Sequence, residues 1–224
     1  MCGRFVLQSA FDVIARTFNL APMSITVPTS FNIAPGQDIA IIVKEGGQNR
    51  LALCRWGFMP SWCRDLSDGY KMINARAETV AEKPSFREAF GRQRCLIVAD
   101  GFYEWKNEGG KKLPFYIHRR DGRPFGMAGL FNFWTSPEGE QVCTSTIITT
   151  CANGLLAPVH DRMPVITPAD KVDLWLDPGV HETERLLPIL RPYPDDELEL
   201  YEVTANVNSP KNDAPENIEK ISRQ

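Results

Sequence analysis

Short apolar runs broken by Gly, Pro, Asn and Asp set the pattern of this chain. Runs at 39–43, 51–53, 94–98, 115–118, 125–129 and 144–149 predict β-strands, with a late strand at 198–203. Helical periodicity is confined to a few places. Over 9–18, Phe11, Ile14, Ala15 and Phe18 share one face, and Ser9 with Asp12 matches a capping box. A short helix is predicted at 83–90. Thr167-Pro168-Ala169-Asp170 opens another, with Thr167 as N-cap and Pro168 at the first helical position, carrying Val172, Leu174 and Trp175. A third covers 182–190, shortened by Pro188. From Asn206 onward the chain is polar and reads as a loose tail.

Strands do not alternate with helices, which argues against a doubly wound parallel sheet. The pattern predicts an α+β fold in one domain, with curved, mainly antiparallel sheets, a barrel-like core and a few peripheral helices. Its expected extent is 1–212, followed by a polar C-terminal tail at 213–224. With 43% hydrophobic and 24% charged residues among 224, a disordered chain, a coiled coil and a collagen-like repeat are excluded. No run of 18 apolar residues predicts a membrane span, and the opening MCGRFVLQSAFD lacks a signal-peptide core. A cytoplasmic protein is expected.

Six cysteines (Cys2, Cys54, Cys63, Cys95, Cys143, Cys151) include no C-x-x-C pair, so free thiols are expected. The histidines His118, His160 and His181 are scattered, which argues against a metal site. The net charge of −3 speaks against binding nucleic acid by bulk attraction. Its distribution alters that picture. Residues 1–166 hold 19 basic and 15 acidic residues, net +4, whereas 167–203 hold 3 and 10, net −7. One part of the chain can present a basic face, although such an asymmetry also serves solubility alone.

Five segments carry candidate chemistry. Removal of Met1 would leave Cys2 with a free α-amine, titrating near 7.7–8.0, and a thiol near 8.5. A 1,2-aminothiol condenses with an aldehyde to an imine and then closes a thiazolidine ring through sulfur, which a lysine cannot do. Asn74 lies between apolar Ile73 and Ala75, where its amide needs a partner; it can donate and accept at once. Arg76, two residues on, points to the same side of an extended segment and suits a phosphate. Glu104 sits among Phe102, Tyr103 and Trp105, where burial raises a carboxyl toward the general acid–base range. His160 lies at a turn before an apolar run, beside Asp161 and Arg162, which suits ion pairing or phosphate binding. The loop Trp56-Gly57-Phe58-Met59-Pro60-Ser61-Trp62 is an aromatic wedge or a core closure. Each segment also has a structural reading as core, turn or surface.

Taken together they are specific. MCGRF, Asn32-Ile33-Ala34-Pro35, Trp56-Gly57, Ile73-Asn74-Ala75-Arg76-Ala77-Glu78-Thr79, Ala99-Asp100-Gly101-Phe102-Tyr103-Glu104-Trp105, His160-Asp161-Arg162-Met163-Pro164 and Asn208-Ser209-Pro210-Lys211-Asn212 occur in that order. The sequence resembles the SOS-response-associated peptidase (SRAP) family of abasic-site processing proteins, particularly its Bacillus-type members. The resemblance implies single-stranded DNA as partner and covalent capture of an abasic site as a thiazolidine. It implies Cys2 as nucleophile after autocatalytic loss of Met1, Asn74 positioning the amine and the deoxyribose, Glu104 shuttling protons, and His160 assisting ring opening and reversal. Arg4, Arg76 and Arg162 match the phosphate-gripping set, and Trp62 and Trp105 the aromatics that splay the strand. It further implies a bacterial cytoplasmic protein, nucleoid-associated on DNA, without cofactor, metal or membrane, and a monomer by default. From the residues alone, an N-terminal-nucleophile peptidase or amidohydrolase and a plain DNA-binding module remain open.

Overall fold

The computed structural model describes residues 2–22, 27–63 and 72–221. A five-stranded barrel forms the centre. Its strands are β3 (Asp38–Glu45), β4 (Gln48–Trp56), β6 (Arg94–Ala99), β9 (Phe125–Thr135) and β10 (Gln141–Cys151). Each pairs with the next around the ring, and the β9–β10 hairpin with a parallel β10–β4 pairing closes it. Closure leaves no edge on these strands. The β3–β4 hairpin turns through Gly46 and Gly47, both at positive φ (57° and 78°), the geometry a two-residue turn demands. Two three-residue strands, β5 (Asn74–Arg76) and β11 (Arg162–Pro164), flank the end of β10. Every residue of β6 is buried, which explains its continuous Cys95–Val98 apolar run.

A second, antiparallel sheet runs β12–β8–β7–β1–β2, built from β1 (Phe5–Leu7), β2 (Ser30–Ile33), β7 (Gly101–Glu108), β8 (Lys111–Arg119) and β12 (Leu198–Glu202). The chain passes from the barrel to this sheet at Asp100. Gly101 is required there, because a Cβ would run into the Tyr116 ring. The Asp100 carboxylate also accepts from the Gln8 and Ser9 backbone N–H groups (2.6 and 2.8 Å) and from the Ser9 hydroxyl. It thereby holds the start of α1 (Phe11–Phe18), whose Ile14 and Phe18 pack on the barrel. The expected capping box does not form: Ser9 is engaged by Asp100, and Asp12 pairs with Arg16 at 2.8 Å.

The remaining helices are short and peripheral: α2 (Arg87–Arg92), α3 (Val172–Leu176) and α4 (Thr183–Leu186). Buried Arg94 fastens them. Its guanidinium donates to the carbonyls of Phe90, Trp175, Asp177 and Val180, so burial is compensated on every side. Thr167 is not a cap; a 3₁₀ turn at Ala169–Lys171 precedes α3, and the Thr167 hydroxyl lacks a hydrogen-bond partner. The segment beyond Asn206 also departs from expectation. It forms 3₁₀ turns at Ala205–Asn208 and Pro215–Ile218 and buries Val207 and Asn217. The Asn32 amide, itself buried, donates to the carbonyls of Val207, Ser209 and Asn212 and so binds this segment to β2.

The cysteines differ from the all-free expectation as well. Because Thr144 pairs with Arg55 across the β10–β4 seam, Cys143 and Cys54 come side by side, with Cα atoms 4.9 Å apart, and are disulfide-bonded. Cys2, Cys95 and Cys151 are free thiols. Among the described residues, no helix is long and apolar enough to cross a membrane.

Candidate active site and nucleic-acid groove

The two sheets bring four of the expected residues together. Cys2 leads into β1 and is fully buried, with its thiol 4.0 Å from the Arg4 carbonyl. The Asn74 amide on β5 donates to the Cys2 carbonyl at 2.9 Å. That bond fixes Cys2 through its own backbone, a more specific contact than the sequence indicated. Asn74 Oδ1 is buried without a hydrogen-bond partner among the described residues, which leaves an acceptor beside Cys2. Burial pushes the Cys2 thiol well above its usual range, with the Glu104 carboxylate adding to the effect. Met1 lies outside the described residues.

Glu104 projects from β7 and is 2% exposed. Burial lifts its pKa to about 7, and the Asp161 carboxylate contributes in the same direction. Its Oε2 lies 3.9 Å from His160 Nε2. The Arg162 backbone N–H donates to His160 Nδ1 at 3.0 Å, which places the ring proton of the neutral tautomer on Nε2, toward Glu104. Burial lowers the His160 pKa, outweighing Asp161, whose carboxylate lies 3.0 Å from Nδ1. A carboxyl poised near neutrality therefore stands beside an imidazole that stays neutral there, a pairing suited to passing protons in either direction.

Glu104 and His160 open into a cavity of about 570 Å³ that Gly3, Arg4, Trp105, Lys112 and Asn208 also line, with Cys2 buried next to Gly3. Arg4 is bonded from within: its guanidinium donates to Asn32 Oδ1 (2.7 Å) and to the carbonyls of Val207 (2.8 Å) and Asn208 (3.2 Å). Trp105 donates its indole N–H to Asn208 Oδ1 at 2.7 Å. The C-terminal segment thus fixes both a cation and an aromatic plane at the rim.

A profile of the family described as SOS response associated peptidase (SRAP) matches residues 1–210. The chain belongs to this family. Abasic site processing protein YoqW of Bacillus subtilis is 48% identical over 98% of this chain and 99% of its own length. Abasic site processing protein HMCES of Xenopus tropicalis is 30% identical over 84% of this chain and 64% of that protein. A crystal structure of a Bacteroides thetaiotaomicron protein superposes with a TM-score of 0.89 at 26% identity, covering 99% of this chain and all of that one.

In this SRAP member the other expected DNA-contacting residues are spread around the site. Arg76 and Arg162 reach Thr149 from opposite sides of β10: Arg76 is its register partner on β5, and Arg162 donates to its carbonyl at 2.6 Å. Arg162 forms a two-pronged pair with Glu78 (2.6 and 3.0 Å) rather than with its neighbour Asp161. Arg76 is exposed and has no ion pair among the described residues. Trp62 is 61% exposed and lines a separate, small cavity with Phe58 and Pro84. Lys112 was not legible in the sequence, since nothing in a Lys-Lys pair on a hairpin marks one of them as facing this cavity. Asn208 was visible only as part of a motif.

Proposed function

We propose that this protein captures abasic sites in single-stranded DNA as a thiazolidine on Cys2, shielding the lesion after DNA damage. The observation that supports the reading is Glu104 and His160 lining an open cavity, with Glu104 close enough to act on the buried Cys2 that Asn74 holds, in a family whose similar members are named for abasic site processing. The geometry explains each step.

Hydrolysis of the Met1–Cys2 peptide bond consumes one water and frees the α-amine. Glu104, close enough to Cys2 to act on its thiol, is the acid–base group assigned to that bond. Its pKa of about 7 lets it accept a proton and return it at neutral pH. An abasic deoxyribose exists mostly as a closed hemiacetal. Opening it requires a proton on the ring oxygen and removal of one from the anomeric hydroxyl, tasks that Glu104 and His160 divide. The amine then adds to the aldehyde carbon, water leaves, and the thiol adds to the imine. Carbon gains one bond to nitrogen and one to sulfur, the thiol proton passes to nitrogen, and both phosphodiesters stay intact. Asn74, by holding the Cys2 carbonyl, aims the amine and the thiol at a single carbon. The high pKa of the buried thiol matters little to this order, since sulfur attacks last and intramolecularly.

The wall contacts suit a strand with a missing base. Trp105 offers a stacking face, and phosphates are gripped without base-specific hydrogen bonds, so any sequence is accepted. Replacing Cys2 by Ala is expected to abolish the covalent product while non-covalent binding of abasic single strands stays within about two-fold. Gel shift and denaturing electrophoresis measure the two separately. Wild-type rates of cross-linking by the Cys2→Ala variant contradict the reading. So does turnover of a peptide panel without any DNA adduct, which points to an amidohydrolase.

A further inference from the structure

The cations first matched to phosphates are largely committed within the protein. Arg4 spends its guanidinium on Asn32 Oδ1 and on the carbonyls of Val207 and Asn208. Arg162 is locked in its pair with Glu78. Of the basic side chains lining the catalytic cavity, that leaves Lys112. Lys112 is exposed on β8, and its ammonium has no ion pair among the described residues. Lys106, its neighbour on the hairpin, takes Glu108 at 2.8 Å. The β7–β8 register places Pro114 opposite Trp105 and Lys112 opposite Asn107, so Lys112 lies one step along the same sheet face as Trp105. A base stacked on that indole would carry its phosphate past the lysine.

We propose that Lys112 binds a DNA phosphate on the Trp105 side of the lesion. Together with Arg76 beyond Asn74, it fixes where the strand enters and leaves the site. This rests on the reading of the cavity as a single-strand DNA site. The contact is one point charge on a flexible stem, so it contributes affinity and salt dependence without reading sequence.

Reversible binding is measured in the Cys2→Ala background with a single-stranded oligonucleotide carrying one tetrahydrofuran abasic analogue, across a range of salt concentrations. For single strands, each phosphate contact contributes about 0.7 to the slope of log K against log salt. Lys112→Ala is expected to lower that slope by about 0.7, and Lys112→Arg to retain it. Lys111→Ala, which removes the same charge from the adjacent residue on the opposite strand face, is expected to leave the slope almost unchanged. An unchanged slope in Lys112→Ala, or an equal drop in Lys111→Ala, overturns the proposal while the capture reading stands. Absence of any single-strand binding by the Cys2→Ala parent, with no cross-link by the wild type, overturns both.

Discussion

At the scale of single residues, burial takes the Glu104 carboxyl out of its usual range to a pKa of about 7. A carboxyl with a pKa of about 7 in the folded state and near 4.5 when unfolded binds protons more tightly when folded. Its contribution to stability is therefore complete below pH 4.5 and is lost as pH rises through about 7. The neutral isostere Glu104→Gln escapes that loss. Relative to wild type it should gain stability progressively between pH 4.5 and 7 and level off above, by about 3 kcal/mol at roughly 1.4 kcal/mol per pH unit. Urea denaturation at pH 4.5, 6 and 8 measures it, and a constant difference between the two proteins contradicts the assignment. The same variant should lose most of its cross-linking rate. The sequence offers Cys2, Asn74, Glu104 and His160 as candidates through local polarity, and only the resemblance carried by their motifs gathers them into one site. Sequence reasoning could not reach what the arginines do, since their partners lie far off in the chain: Arg162 finds Glu78, and Arg4 finds Val207 and Asn208.

At the scale of elements, the centres of β3, β4, β6, β8, β9 and β10 were legible because their apolar runs are continuous or alternate cleanly, whereas β7, with Glu104, Lys106, Asn107 and Glu108 among its eight residues, was not predicted as a strand. β5 and β11, three residues each, were not. They are strands because β10 pairs with them, and no local propensity would form them alone. The start of α1 teaches the same lesson in reverse: the box read from Ser9 and Asp12 is locally reasonable, yet Asp100, 91 residues away from Ser9, outcompetes it. That carboxylate accepts three hydrogen bonds at the passage from barrel to second sheet, next to β1, which delivers Cys2. Asp100→Ala is expected to cost about 2–4 kcal/mol, since charge-assisted hydrogen bonds are each worth roughly 1.5–3 kcal/mol and water replaces part of them. Chemical denaturation reads the loss. A change below about 0.5 kcal/mol contradicts the role given to this side chain.

At the scale of the whole molecule, an acidic protein can hold a DNA site because the site needs only a local groove. The cavity is lined by segments from the N-terminus, β7, β8, the turn before β11 and the C-terminal 3₁₀ turn, so only the complete fold creates it. The polar composition after Asn206 concealed this, because its anchoring is by hydrogen bonds from Asn32 and Arg4 rather than by an apolar face. The barrel-like core was expected, but the parallel β10–β4 pairing that closes it was invisible, as was the Cys54–Cys143 juxtaposition that follows from it. The proposed function stands on one chemical step, in which Cys2 becomes an N-terminal aminothiol and bonds to an abasic sugar. Purified protein is mixed with a single-stranded oligonucleotide bearing one abasic site, beside an intact control, and resolved under heat and detergent, with the intact mass of any adduct then determined. The account predicts a surviving band with the abasic strand alone, at the mass of the protein lacking Met1 plus the oligonucleotide less one water, localised to Cys2. If Cys2 is exposed by loss of Met1 and no such band forms, the claim is wrong.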